Sequence, residues 1–103
     1  MPERSFFILL TNIDRIRAWI HTGQGSVMNF TVQYEIYWNE RWMPVVRFDG
    51  WHDQPHRDTL DADGNVIHKD WYTLTYAAAL TYGIDDLRAS WERYRTDFLR
   101  RIG

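Results

Sequence analysis

Hydrophobic positions along the chain change period once, near residue 75, and that change sets the expected architecture. From Ser26 to Trp38 the residues Phe30, Val32, Tyr34, Ile36 and Trp38 alternate with Thr31, Gln33, Glu35 and Tyr37. A period of two is the mark of a strand with one buried face. Asn39–Arg41 forms a tight turn, and RWMPVVRF runs back as the partner strand. On that return strand Trp42, Val46 and Phe48 are apolar on one side and Met43 and Val45 on the other. Pro44 has no amide to give a ladder, so the strand is expected to be an edge or to bulge there.

After Phe48 comes a polar stretch, and then RDTLDADGNVIHKDWY reads as a second hairpin turning at Asp63-Gly64. The DADGN segment is read as a turn and not as a calcium loop, because Tyr72 stands where a terminal glutamate ligand would fall. From Tyr76 onward Leu80, Ile84, Leu87, Trp91, Tyr94, Phe98 and Ile102 recur at steps of three and four, one apolar helical stripe. Gly83 is a candidate kink and Asp85 a candidate restart. The polar face pairs Asp85 with Arg88, Glu92 with Arg95 and Asp97 with Arg101. Toward the N-terminus, Ser5–Asn12 reads as a strand, and NIDRIRAWIHTG as a short helix on Ile13, Ile16 and Ile20 that stops at Gly23. Residues 1–103 are thus expected to form a single α+β domain: a small antiparallel sheet of two hairpins packed on one long C-terminal helix, with a short N-terminal strand and helix.

Composition narrows the chemistry. The chain has no cysteine, which excludes disulfides, thiolate metal sites and cysteine nucleophiles. A formal charge of -2 supplies no global field toward nucleic acid. Of the twelve basic residues only Lys69 is a lysine, so any anion is met mostly by planar guanidinium groups. Aromatic residues reach 17%, more ring area than a core of this size requires, and a homodimer is the simplest cover for the surplus. No leader or membrane-spanning run is visible, and a cytoplasmic location is expected.

The chemistry-bearing residues gather in RFDGWHDQPHRD, residues 47–58. Histidine suits proton transfer near neutral pH, and arginine suits a developing phosphorane charge. On that reading His52, His56, Arg47 and Asp49 are candidate catalytic residues, and Arg57, Trp51 and Asp58 candidate substrate-binding residues. RNA or another phosphodiester is the expected substrate. The His52–His56 spacing matches no metal-ligand pattern, so no metal or cofactor is expected. The competing reading is a polar loop held in shape by its own hydrogen bonds. The protein is then a non-enzymatic binding or assembly module.

The run FTVQYEIYWNERWMPVVRFDGWHDQPHRDTLDADGN, with Trp71 soon after Lys69 and WERYR in the helix, resembles a family of small bacterial proteins of uncharacterised function. Their pattern is VQYE, W-x-PVVRYD, a histidine shortly after, HRD and a terminal helix. The likeness spans Ser26 to about Leu99. More distantly, the strand end is similar to the TumE-like toxin components of toxin–antitoxin systems. That similarity implies Arg47, Asp49, His52, His56 and Asp58 as site positions, and a cognate antitoxin protein as partner. The toxin pattern has His-Gly directly after the aspartate, whereas this chain reads Asp49-Gly50-Trp51-His52.

Overall fold

The computed structural model describes residues 2–102. Six strands run β1 (Glu3–Leu9), β2 (Asp14–Gly23), β3 (Ser26–Trp38), β4 (Arg41–Asp49), β5 (His56–Leu60) and β6 (Val66–Trp71), and α1 (Tyr76–Ile102) follows them. Each strand pairs antiparallel with the next, a six-stranded meander in sequence order. The helix lies across one face, chiefly over β3 and β4. The expected α+β class holds, with a larger sheet than two hairpins.

Turn chemistry sets the register of the long strands. Gln24-Gly25 and Asn39-Glu40 each form a two-residue loop with both φ angles positive. That geometry matches the right-handed twist of the strands it joins. At the β5–β6 loop Gly64 takes φ 83°, and the Asp61 carboxylate accepts the amides of Asp63 and Asn65 at 2.9 Å.

The N-terminal expectation fails. The segment from Asn12 is not a helix: Asp14–Gly23 is strand β2, paired on both sides. Ile16 and Ile20 fit a helical stripe, but with Ala18 they fit an alternating one equally well. Arg15, Arg17 and Trp19 then occupy the opposite face. The long neighbour β3 decides the matter, since the backbone groups on its edge opposite β4 need a strand to pair with, and that requirement outweighs local propensity.

The core fills the space between sheet and helix. Ile16, Ala18, Phe30, Val32, Tyr34, Ile36, Val46 and Phe48 meet Ala79, Gly83, Leu87, Tyr94 and Phe98. The ladder between β3 and β4 shifts at Tyr34/Glu35, where Val45 is the extra residue beside Pro44. This bulge resolves the doubly apolar β4, because Met43, Val45, Val46 and Phe48 are all buried.

The helix runs unbroken through Gly83. Glycine stands there for contact: a Cβ would meet Phe48 Cγ and Val32 Cγ2 at 3.0 Å. The expected Glu92–Arg95 pair is also absent. Arg95 Nη1 instead donates to Asp14 Oδ2 at 2.9 Å, and the Tyr34 hydroxyl and Thr11 donate to the same fully buried carboxylate. Burial and Asp14 together hold the Tyr34 phenol well above its ordinary range. This cluster ties the helix to the sheet at one buried carboxyl group.

Gly83→Leu is therefore expected to cost at least about 2 kcal/mol through overpacking, read as a lower urea midpoint with unchanged slope. An unchanged midpoint would show that the helix does not sit this close to β3 and β4.

Candidate functional site

Because the helix covers one face, every second side chain of the sheet projects from the other. Strand register arranges these into two adjacent rows that cross all six strands. One row reads Phe7, Arg17, Gln33, Arg47, Asp58 and Lys69; the other reads Ser5, Trp19, Thr31, Asp49, His56 and Trp71. Directly opposed side chains on one face lie within contact distance, so each row is a chain of neighbours.

At the β1–β3 end the rows bound an open groove of about 440 Å³, lined by Ser5, Arg17, Trp19, Thr31, Gln33, Arg47, Asp49 and Trp51. Trp51 arrives from the single 3-10 turn Trp51–Asp53 that follows β4. It is 53% exposed, and its ring runs nearly parallel to that of Trp19, 10° apart with centroids at 6.2 Å. The loop is seated by Gly50, where a Cβ would strike Asn29 Oδ1 at 2.7 Å. The Tyr76 hydroxyl also donates to the Gly50 carbonyl at 3.2 Å.

Two arginines at the groove differ from the arginine beside them. Arg15 is committed: its Nε donates to Glu35 at 2.7 Å, and its guanidinium lies over Phe7 and Trp42. Arg47 donates through Nε to Gln33 Oε1 at 2.8 Å, which orients the side chain and leaves the terminal nitrogens without a carboxylate. Arg17 makes no ion pair among the described residues and is exposed.

At the β4–β6 end lies a buried polar trio. His56 is 1% exposed in its side chain, and Asp49 and Asp58 are each 6% exposed. His56 Nε2 is 2.9 Å from Asp49 Oδ1 and 3.5 Å from Asp58 Oδ2, while Nδ1 is 3.0 Å from the Gln54 carbonyl oxygen. A carbonyl can only accept, so Nδ1 carries a proton. Nε2 then faces two carboxylates, which requires a further cation or proton between them. Burial pushes the Asp49 carboxyl above the ordinary range; His56, the Trp51 amide and Arg47 oppose that rise, and Asp58 adds to it. Lys69 Nζ stands 2.8 Å from Asp58 Oδ1, yet that buried oxygen accepts no well-formed hydrogen bond among the described residues.

The residues expected from sequence do not all meet in one place. Asp49, His56 and Asp58 form the trio, and Arg47, Asp49 and Trp51 line the groove. His52 sits exposed on the loop at φ 68°, its ring 6.0 Å from that of His56. Arg57 departs from expectation. Alternation along β5 turns it to the helix face, where it binds Asp70 and the Tyr94 hydroxyl. His56, expected to meet substrate, is buried with both nitrogens facing oxygen. Arg17, Trp19, Thr31 and Gln33 were not anticipated. The alternation Arg15, Arg17, Trp19 within β2 was their signal, masked by the competing helical period.

The chain belongs to the family described as a domain of unknown function, DUF7718, whose model matches residues 1–103. The family therefore includes the N-terminal strands, beyond the Ser26–Leu99 stretch. No curated protein and no solved structure matches the chain.

His56→Ala should lower stability by about 3 kcal/mol or more, because it leaves two buried carboxylates facing an empty volume. Arg47→Ala should cost less, about 1.5 kcal/mol, the worth of one charged hydrogen bond to Gln33. Equal costs in urea unfolding would contradict this division between buried trio and open groove.

Proposed function

We propose that the protein binds a single-stranded RNA segment, or a related phosphodiester, in the groove on the open face of the sheet. The observation that carries this reading is the convergence of Arg17 and Arg47 with Trp19 and Trp51 around one cavity. Guanidinium forks suit phosphate oxygens, indole faces suit unstacked bases, and neither demands a particular sequence. A volume near 440 Å³ is within the range of small-ligand sites. Ser5, Thr31 and Gln33 add hydrogen-bonding groups on the floor.

Of the buried trio, Asp49 also lines this groove. Burial holds the Asp49 carboxyl above its ordinary range, the direction that favours proton exchange with a bound phosphodiester, and His56 behind it holds its position. In a toxin-like ribonuclease this assigns Asp49 the acid–base role, His56 a positioning role and Arg47 the phosphate clamp. Fluorescence anisotropy with a labelled single-stranded RNA oligomer tests the binding. Arg17→Ala and Trp51→Ala should each weaken affinity by roughly ten-fold, and Arg17→Ala should reduce the salt slope by about 0.7. Affinity equal to that of the parent protein in both variants would contradict the reading.

A second reading, assembly with another copy or a partner protein, is favoured by the β1 edge. Phe7 is 51% and Leu9 76% exposed there, and the outer backbone edge of β1 has no neighbour among the described strands. Edge strands of this kind pair with further strands. Sedimentation equilibrium should show a concentration-dependent dimer that Leu9→Lys shifts to monomer; a monomer at every concentration would dismiss it.

A further inference from the structure

The geometry points to a divalent metal site in the buried trio Asp49, His56 and Asp58. This inference does not rest on RNA binding, and a cation held by Asp49 would replace the proton-exchange role assigned to that carboxyl above. Three features carry it. First, the donor atoms converge. Nε2 of His56 lies 2.9 Å from Asp49 Oδ1 and 3.5 Å from Asp58 Oδ2. Ligands bonded at about 2.1 Å to one cation stand roughly 3.0–3.4 Å apart. The observed spacing brackets that value.

Second, the histidine is prepared in the way metal ligands are. Its Nδ1–H meets the Gln54 carbonyl at 3.0 Å, which fixes the tautomer and directs the Nε2 lone pair toward the two carboxylates. Asp49 and His56 are directly opposed on β4 and β5, and Asp58 follows two residues along the same face, so all three sit on paired strands. Trp71 covers the imidazole with ring centroids 5.0 Å apart.

Third, the trio is enclosed and sparsely partnered. Asp58 Oδ1 meets the Lys69 ammonium at 2.8 Å, an ion pair without a well-formed hydrogen bond among the described residues. A divalent cation set between the three donor atoms gives both enclosed carboxylates a shared partner, and carboxylates buried this close together are costly without one. Two carboxylates with one imidazole suit manganese or zinc. Asp49 also lines the groove, so the trio adjoins the cavity that Arg47 and Trp51 border.

The test uses the full chain, stripped with chelator and titrated with Zn²⁺ and separately with Mn²⁺ by calorimetry. One equivalent should bind, with a raised thermal midpoint. Asp49→Asn, which keeps side-chain volume, should weaken binding at least about 100-fold, more than loss of an outer partner does. Asp61→Ala in the β5–β6 turn should leave it unchanged. Bound Mn²⁺ should show nitrogen hyperfine coupling from one imidazole in the parent protein, a readout that needs no variant to fold. Stoichiometry well below one, coupling without nitrogen, or binding lost in Asp61→Ala would each overturn the site. Failure of the RNA titration alone would not touch it.

Discussion

One helix can cover only one face of a six-stranded sheet, and most features of this protein follow from that. The covered face is nearly all apolar, with Phe30, Val32, Tyr34 and Phe48 against Leu87 and Phe98. Among the described residues the other face has no second layer, so its long strands carry polar side chains that must satisfy one another. Gln33 and Glu35, both buried, do this through Arg47 and Arg15. The network is dense because adjacent strands place these groups in direct opposition, and register, more than loop conformation, creates the site.

That constraint also separates stability from chemistry. Strand β5 illustrates it over three residues: His56 and Asp58 face the open side, while Arg57 between them ties the helix through Tyr94 and braces Asp70. The trio is buried within a sheet and yet touches a groove, an environment where a charged group is held in place and partly shielded from water. Such placement costs stability unless the charges are matched. The Lys69 ammonium beside Asp58 and the guanidinium of Arg47 near Asp49 supply part of the match.

The strands with one clear period were legible before any coordinates. β3 alternates cleanly, Pro44 announced the bulge, and the helical stripe from Tyr76 appears where its apolar spacing put it. β2 was not legible. Ile13, Ile16 and Ile20 satisfy a helix, and only pairing with β1 and β3 reveals Ile16, Ala18 and Ile20 as a strand face. That one ambiguity hid Arg17 and Trp19, two of the side chains that line the groove. The polar cluster was visible as a local run, but its geometry was not. Residues that are close in sequence diverge, as Arg57 does, while Gln33 and Arg47, fourteen positions apart, touch.

The central claim is that the open face, and not the helix face or the far end of the sheet, is where this protein meets its ligand. Six tryptophans report on it independently. Trp19 and Trp51 flank the groove, Trp91 packs near Tyr34 beneath the helix, and Trp38 ends β3. Nitrogen–proton spectra of the indole groups during addition of a single-stranded RNA oligomer compare them in one sample. The account predicts that the Trp19 and Trp51 resonances move and saturate together while Trp38 and Trp91 stay in place. Movement confined to Trp38 or Trp91, with Trp19 and Trp51 still, would contradict it.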